Sequence, residues 1–253
     1  MITRTFTFLE GIGETKEKEL WNAGVDDWNK FIDSKQLNGF SPRIKIGYDA
    51  ELRNAKNALR DNDSSYFAGK LSSKHNWRLY DFFKDEAVFL DIETTGLSSY
   101  DHITMVGMYD GSESSIMVRD INLDVKKMAN YLSKQNLIVT FNGASFDLPM
   151  LRKKFPALGK VFEKIPHVDL RHVCADIGLR GGLKKIEKEL GVRRENYWVE
   201  RLHGGDAVKL WNMWQNTKDR YYLNLLLEYN EEDIINLKPI ANHVINELKS
   251  KHL

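Results

Sequence analysis

The sequence predicts an α/β fold in which helices flank a mixed central sheet, with a small helical region before it. Two observations carry the prediction. Short apolar runs with strand character begin only at Ala87, and segments with helical spacing dominate from Ser145 onward. An order of three strands, a helix, another strand and then helices is typical of a mixed-sheet α/β domain. We therefore expect a helical region over residues 1–85 and an α/β domain over residues 86–253.

The composition indicates an ordinary globular protein. The chain has 253 residues, of which 42% are hydrophobic and 29% are charged, enough for one α/β domain with a substantial core and a small appendage. The single cysteine, Cys174, excludes an intramolecular disulfide framework and suits a reducing compartment. Neither a membrane-spanning apolar run nor the features of a signal peptide is seen, so we expect a cytoplasmic protein with no membrane partner.

Residues 1–85 show short helical patterns separated by turn signals. The turn Gly11-Ile12-Gly13 before a helix resembles half of a helix-hairpin-helix, in which backbone amides at the helix N-terminus bind a phosphate. The alternative, which we favour, is a structural cap. Its own apolar core would be formed by Trp21, Val25, Trp28 and Phe31.

The strand signals start with three runs, AVFLDIE from Ala87, ITMVGMYDG from Ile103 and SSIMV from Ser114, which predict an antiparallel meander. Asp124 is expected to cap a helix that runs to Lys134. A buried strand, LIVTFNG, follows. Further helices are predicted over residues 147–155, 183–190, 206–214 and about 221–249, with a kink or short break at Pro239.

Four acidic residues on three of these elements are candidate metal ligands. Asp91 and Glu93 are two apart in a strand, so both carboxylates point to the same face, and each raises the pKa of the other unless a cation neutralises them. Asp147 begins a helix. Asp233 lies in the last helix, and Tyr229 is one turn earlier on the same face. Hard oxygen ligands of this kind suit Mg²⁺ or Mn²⁺.

Each acid alone also has a structural explanation. Asp147 can serve as a helix cap, and Asp233, beside Glu231 and Glu232, can belong to a solvated helical face. Only the joint pattern predicts a metal site.

The same residues form three motifs with the order and separations of the DEDD exonucleases, which include DNA-polymerase proofreading domains, oligoribonuclease and ribonuclease D. The motifs are DIETTGL from Asp91, NGASFD from Asn142 and YNEED from Tyr229, the last with the tyrosine-type spacing. The resemblance covers roughly residues 87–245 and implies a ribonuclease H-like fold. WRLYDFF from Trp77 and GDAVKLW from Gly205 also resemble a poorly characterised prokaryotic branch of ribonuclease H-like exonucleases.

The resemblance implies 3′-to-5′ hydrolysis of phosphodiester bonds with two divalent cations, Mg²⁺ or Mn²⁺. It implies that Asp91, Glu93 and Asp233 hold one cation. Asp91 and the scissile phosphate would hold the second, with Asp147 bound to it through water. Tyr229 would orient the attacking water, because a phenol with a reference pKa of about 10 is a poor base at neutral pH.

Substrate contacts are expected next to the first two motifs. Thr94 and Leu97 would contact the terminal nucleotide through backbone amides and an apolar wedge. Asn142 and Phe146 are candidates for contacts with sugar and base, although a place in the core explains Phe146 equally well.

A basic stretch offers contacts to the rest of the strand. From Arg152 to Lys188 there are ten Lys and Arg residues against four Asp and Glu residues, which fits either a phosphate-binding surface or a solvated helical face. The candidate lysines are Lys153, Lys154, Lys184 and Lys185.

Other polar residues are given supporting roles. Asp169 is expected to cap a helix or support the site rather than to bind metal directly. His167, His172 and His203 suggest a histidine-type mechanism or a zinc site, but zinc-ligand spacing is absent and Tyr229 occupies the place of the required histidine.

Our leading hypothesis is a single-strand 3′-to-5′ exodeoxyribonuclease. An exoribonuclease is an alternative, because no feature indicates a sensor of the 2′-hydroxyl group. A catalytically silent nucleic-acid-binding module is another, against which the complete set of four acids and Tyr229 argues. A metal-dependent nucleotidyl transferase is a more distant possibility. The sequence leaves the pathway, the protein partners and the oligomeric state open.

Overall fold

The computed structural model describes residues 1–202 and 204–252, so His203 lies outside the described residues. Within them, a five-stranded sheet forms the centre of the fold. Its strands are β1 (Ala87–Thr94), β2 (Ile103–Tyr109), β3 (Ser114–Val118), β4 (Leu137–Thr140) and β5 (His167–Asp169). The strand order is β3-β2-β1-β4-β5, with β1 antiparallel to β2 and parallel to β4. The predicted α/β class with a mixed sheet is confirmed.

The strand β5 is not among the elements predicted after Ser145, all of which are helices. β5 has three residues, too few to show an alternating pattern, and it forms by pairing in parallel with β4, where Thr140 lies opposite Asp169. This strand therefore depends on long-range pairing and cannot be predicted from the local sequence.

Helices cover both faces of the sheet. The α-helices of the described residues are α1 (Glu14–Asn22), α2 (Trp28–Asp33), α3 (Pro42–Arg60), α4 (Tyr80–Phe83), α5 (Val125–Leu132), α6 (Asp147–Lys154), α7 (Gly159–Phe162), α8 (Leu170–Asp176), α9 (Leu183–Leu190), α10 (Tyr197–Arg201), α11 (Gly204–Thr217) and α12 (Arg220–His252). Short 3₁₀ helices are Ile2–Arg4, Ser64–Phe67, Ser73–Leu79, Lys84–Glu86 and Pro156–Leu158. No helix in residues 1–202 or 204–252 is long and apolar enough to cross a membrane.

The last helix, α12, runs for 33 residues and continues through Pro239, so the short break considered for this position is absent. Proline has no N–H to donate to the carbonyl of Ile235, four residues earlier. Ile235 is partly exposed, and solvent can reach this part of the helix. The packing of α12 against the sheet outweighs the lost hydrogen bond.

Alternation along β1 decides which side of the sheet carries the acids. Val88 and Leu90 point into the cluster beneath α5 and α6, whereas Phe89 points to the opposite face and packs with Leu237 of α12. Because side chains alternate along a strand, Asp91 and Glu93 share the Phe89 face. The acids of β1 therefore face α12.

The amino-terminal helices pack directly onto this framework. Trp28 and Phe31 are buried as expected, but their apolar cluster continues into Phe89 and into Val244 of α12. The separate core expected for the cap is therefore wrong, because one core spans both regions. Arg78 and Glu17, which both belong to the amino-terminal region, form a buried ion pair at 2.7 Å with side chains 2% and 1% exposed. The domain boundary at residue 86 stays a prediction.

Candidate metal centre

Three carboxylates meet where β1 faces α12. Ligand oxygen atoms of Asp91, Glu93 and Asp233 all lie within 4.8 Å of one another. β1 supplies two of them by alternation, and α12 supplies the third because it packs across the same face of the sheet. Oxygen atoms at this spacing suit a hard divalent cation.

The fourth acid, Asp147, is held beside this group. It is the first residue of α6, and its buried side chain accepts a hydrogen bond of 3.1 Å from the backbone N–H of Ile92. The capping explanation offered for Asp147 does not hold, since Phe146 occupies the N-cap position and no side-chain capping bond is made there. The bond instead fixes Asp147 next to Asp91 and Glu93.

The electrostatics of the site disfavour four ionised carboxylates. Burial raises the pKa of Asp91 and of Glu93 well above the usual range, and the neighbouring carboxylates raise it further. Burial also raises the pKa of Asp147 to about 7, with the charges of Asp169 and Asp233 adding to it. For Asp233, burial raises the pKa to about 6, although the charge of Arg194 opposes the shift. A site of this kind attracts either protons or cations.

Asn230 holds Asp91 in place. The Asn230 side chain is fully buried and donates a 3.0 Å hydrogen bond from Nδ2 to Asp91 Oδ2. It can do so because it lies over Gly107, which is paired with Asp91 across the sheet: a Cβ added at Gly107 would lie 2.9 Å from Asn230 Cγ. Sequence reasoning missed Asn230, although a glycine inside a buried strand signals the close approach of another group.

Arg194 is the second residue that sequence reasoning missed. Its Nη2 pairs with Asp233 Oδ1 and also lies 2.8 Å from Glu187 Oε1, and its Nε donates to Glu187 Oε2 at 2.9 Å. Asn236 donates to the same Glu187 at 3.0 Å. The side chain of Arg194 is 2% exposed, so it positions Asp233 from inside the protein. The loop between α9 and α10 carries no motif that would have revealed it.

Tyr229 lies one turn before Asp233 on α12, close enough to the acids for their charges to act on its phenol. Burial raises the pKa of its phenol, and the negative charges of Asp233, Glu93 and Asp91 raise it further. The phenol therefore keeps its proton at neutral pH. Arg194 lies with its guanidinium carbon 5.7 Å from the centre of the ring, which adds to the packing that fixes the side chain.

Lys184 makes hydrogen bonds that the sequence did not predict. Its ammonium donates to the carbonyls of Val199 at 2.6 Å, of Glu200 at 3.1 Å and of Leu202. An ammonium has three donors, and all three are used to hold the end of α10. These bonds give Lys184 a structural role, and the substrate-binding role expected for it stays a prediction. Lys185 is exposed and faces Glu189 at 3.5 Å, so its role stays a prediction.

The candidates around the first two motifs differ in exposure. Thr94 is buried and donates to the carbonyl of Gly96 at 2.6 Å, whereas the Leu97 side chain is 87% exposed in the loop after β1. Phe146 is half-buried and packs against the cluster beneath α5 and α6, which fits the core alternative. Asn142 adopts a φ of 69°, a conformation that asparagine tolerates better than most residues.

Asp169 supports the loop that presents Asp147. It caps α8 by accepting from the N–H of Arg171 at 3.0 Å, and it also accepts from the N–H groups of Asn142 at 2.8 Å and Ala144 at 3.0 Å. The capping role expected for Asp169 is thus present. Asp169 ties the start of the second motif to β5.

The described histidines take no place among the three clustered ligands. The His167 Nε2 atom makes a 2.8 Å hydrogen bond with the hydroxyl of Thr140, and burial lowers the pKa of His167 to about 4. His172 is exposed on α8. Supporting and surface roles fit both residues.

A mixed sheet of this order, with carboxylates on its central strand facing the last helix, defines a ribonuclease H-like protein. The family model of the RNase H superfamily matches residues 88–245, and the chain belongs to this superfamily. The expected ribonuclease H-like fold is therefore confirmed, and membership indicates a nucleic-acid hydrolase.

Two known proteins show the similarity in more detail. The uncharacterized protein YprB of Bacillus subtilis (strain 168) is 27% identical over 185 residues, covering 66% of this chain and 44% of that protein. The chain thus spans less than half the length of this relative. The structure of the family B DNA polymerase from the hyperthermophilic archaeon Pyrobaculum calidifontis is similar with a TM-score of 0.50 and 18% identity, covering 63% of this chain and 24% of that one. This likeness supports the shared fold.

Proposed function

We propose that the chain is a 3′-to-5′ exonuclease that hydrolyses single-stranded DNA with two divalent cations, Mg²⁺ or Mn²⁺. The observation that carries the proposal is the convergence of Asp91, Glu93 and Asp233 within 4.8 Å, with Asp147 fixed beside them. The direction of hydrolysis and the preference for DNA rest on the resemblance of the three motifs to proofreading exonucleases.

The donor set fits such cations. The acids are oxygen ligands, and their mutual repulsion in a confined site is relieved by a bound positive charge. Asp91, Glu93 and Asp233 would hold a cation directly, and Asp147 would contribute through water. When bound, the cations would supply a water of lowered pKa and neutralise charge on the leaving 3′ oxygen.

The remaining residues of the site orient the carboxylates and the attacking water. Asn230 fixes Asp91, and Arg194 fixes Asp233, so that both carboxylates keep one orientation. The phenol of Tyr229 keeps its proton and would orient the attacking water through its hydroxyl. Leu97 would contact the terminal base, because it is exposed in the loop that directly follows the acids of β1.

The test is the digestion of one single-stranded sequence, as DNA and as RNA, labelled at either the 5′ or the 3′ end, in Mg²⁺, Mn²⁺ or EDTA. We expect 5′-labelled DNA to give a ladder that shortens from the 3′ end, no products in EDTA, and no activity of Asp91→Asn. Asp120→Asn is the matched control, because it makes the same chemical change at a side chain 72% exposed beyond the edge strand β3.

The other outcomes are equally informative. Preferential digestion of the RNA would replace the proposal by an exoribonuclease. Strand binding without cleavage in either metal would replace it by a silent binding module. Release of the 5′-terminal nucleotide as the first product would overturn the direction.

A further inference from the structure

We propose that Tyr100, flanked by Lys153 and Lys154, is a stacking site for a base of the bound single strand on the 5′ side of the hydrolysed bond. The inference rests on the proposed function and extends it from the terminal nucleotide to the strand behind it. It assigns a nucleotide-binding role to a tyrosine outside the three motifs.

The loop that carries Tyr100 is ordered by its own hydrogen bonds. Its two ends are joined by the Thr95 N–H, which donates to the His102 carbonyl at 2.9 Å, and by the His102 N–H, which donates to Thr95 Oγ1 at 3.0 Å. Inside the loop, Asp101 accepts from the Ser98 N–H at 2.7 Å and from Thr95 Oγ1 at 3.2 Å. The backbone around Tyr100 is therefore fixed before any strand binds.

This ordered loop presents large side chains to solvent. Tyr100 is 85% exposed and Leu97 is 87% exposed, so the loop offers apolar surface that a bound base can cover. An aromatic ring held on a fixed backbone can stack a base without prior rearrangement, and such stacking contributes about 1–3 kcal/mol per base.

Positive charge surrounds the ring. Lys153 Nζ lies 5.2 Å from the centre of the Tyr100 ring, and Lys154 Nζ donates to the Tyr100 carbonyl at 3.1 Å. Of the two lysines, Lys153 is exposed. An aromatic ring beside lysines is the combination that single-strand-binding surfaces use to hold bases and phosphates together.

The position of the two lysines gives the spacing from the acids. Both lie in the last turn of α6, whose first residue is Asp147. Seven residues of helix at about 1.5 Å each place Lys154 about 10 Å along the axis from Asp147. At about 3.4 Å per nucleotide of stacked strand, this is about three nucleotides from the hydrolysed bond.

The experiment combines a protein change with a substrate change. Wild type, Tyr100→Ala and Tyr100→Phe are compared on a dinucleotide and on long single strands that lack one base at successive positions from the 3′ end. Phe82→Ala is the control, because Phe82 is an exposed aromatic residue of α4, before the opposite end of β1.

We expect Tyr100→Ala to raise KM for the intact long strand about 5- to 150-fold, which is the stacking contribution converted at 1.4 kcal/mol per tenfold. Its kcat and its dinucleotide hydrolysis should stay unchanged, and Tyr100→Phe and Phe82→Ala should behave like wild type. For wild type, a missing base near the third nucleotide should raise KM by a similar factor. For Tyr100→Ala, the same missing base should raise KM no further.

Two results would overturn the stacking site. One is an unchanged KM of Tyr100→Ala, and the other is an increase in KM from the missing base that adds to that of Tyr100→Ala at every position. Binding of the same strands, measured in EDTA by fluorescence anisotropy, separates this inference from the proposed function. If wild type cleaves no strand while Tyr100→Ala binds the strand more weakly than wild type, the exonuclease is refuted and the stacking site stands.

Discussion

Arg194 offers the sharpest test of how the site is held together, through the substitution Arg194→Met. Methionine keeps much of the length of the side chain and removes its charge and its hydrogen bonds. The side chains of Arg194, Glu187 and Asp233 are 2%, 4% and 9% exposed, so the change would leave two buried carboxylates without their cation. Removal of one partner from a buried ion pair costs about 3–5 kcal/mol.

For a chain of this size, each kcal/mol of unfolding free energy lowers the melting temperature by about 2–4 °C, so Arg194→Met should melt about 6–20 °C below wild type. The assay is thermal unfolding in EDTA. The control is Arg193→Met, the same change at the neighbouring exposed arginine, which should alter stability by less than about 0.5 kcal/mol. A melting temperature of Arg194→Met equal to that of Arg193→Met would refute the reasoning.

A second substitution separates folding from the positioning of Asp233. Glu187→Gln removes the charge that Arg194→Met leaves unpaired and keeps an oxygen for the Asn236 side chain. The double variant should therefore regain stability over Arg194→Met. Calorimetric titration with Mn²⁺ should show a metal affinity below that of wild type in both variants, because Asp233 has lost the partner that positions it. A double variant that is less stable than Arg194→Met would contradict this account of the network.

Three further predictions test the site itself. Asp147→Asn should lower cleavage at least about a hundredfold while strand binding survives, as gel-shift and turnover assays can show. Tyr229→Phe should slow hydrolysis with Mn²⁺ affinity unchanged, whereas Asp233→Asn should lose both; equal losses of affinity would contradict their separate roles. Gly107→Ala should displace Asn230 and destabilise the protein by about 1–3 kcal/mol, and an alanine variant with normal melting and turnover would refute the close packing.

Local periodicity accounts for the parts of the fold and site that the sequence predicted. The alternation of β1 places Asp91 and Glu93 on one face, and the helical spacing of α12 places Tyr229 one turn before Asp233. Both are consequences of backbone geometry within a single element. Long apolar runs and capping residues, such as Asp124 at the start of α5, likewise act within a few residues.

The features that the sequence did not predict depend on contacts between distant elements. β5 exists because β4 pairs with it, and Lys184 is engaged because α10 ends above it. Arg194 reaches Asp233 across 39 residues, and Asn230 reaches Asp91 across 139. No local pattern encodes such pairings. The single local sign of one is Gly107 inside β2, which leaves room for Asn230.

The raised pKa values of the acids predict how the stability of the metal-free protein depends on pH. Asp147 and Asp233 have pKa values of about 7 and about 6 in the folded protein, above the ordinary value of 3.8. The folded state therefore binds more protons than the unfolded state between about pH 4 and pH 7, and its unfolding free energy falls as the pH rises through this window. At 1.36 kcal/mol per unit of pKa, Asp147 alone lowers the unfolding free energy across this window by on the order of a few kcal/mol.

His167 acts in the opposite direction, because burial lowers its pKa to about 4 and the unfolded state then binds the extra proton. The comparison of wild type with Asp147→Asn cancels this contribution, since both contain His167. In EDTA, Asp147→Asn should gain stability relative to wild type as the pH rises from about 5 to about 8, measured by urea unfolding. Saturating Mn²⁺ should reverse the order, because the cation stabilises the ionised carboxylates of wild type. The stability difference between the two proteins could instead stay constant from pH 5 to pH 8 in EDTA. Asp147 would then be ionised in the folded protein throughout this range, and no cation would be needed to balance its charge.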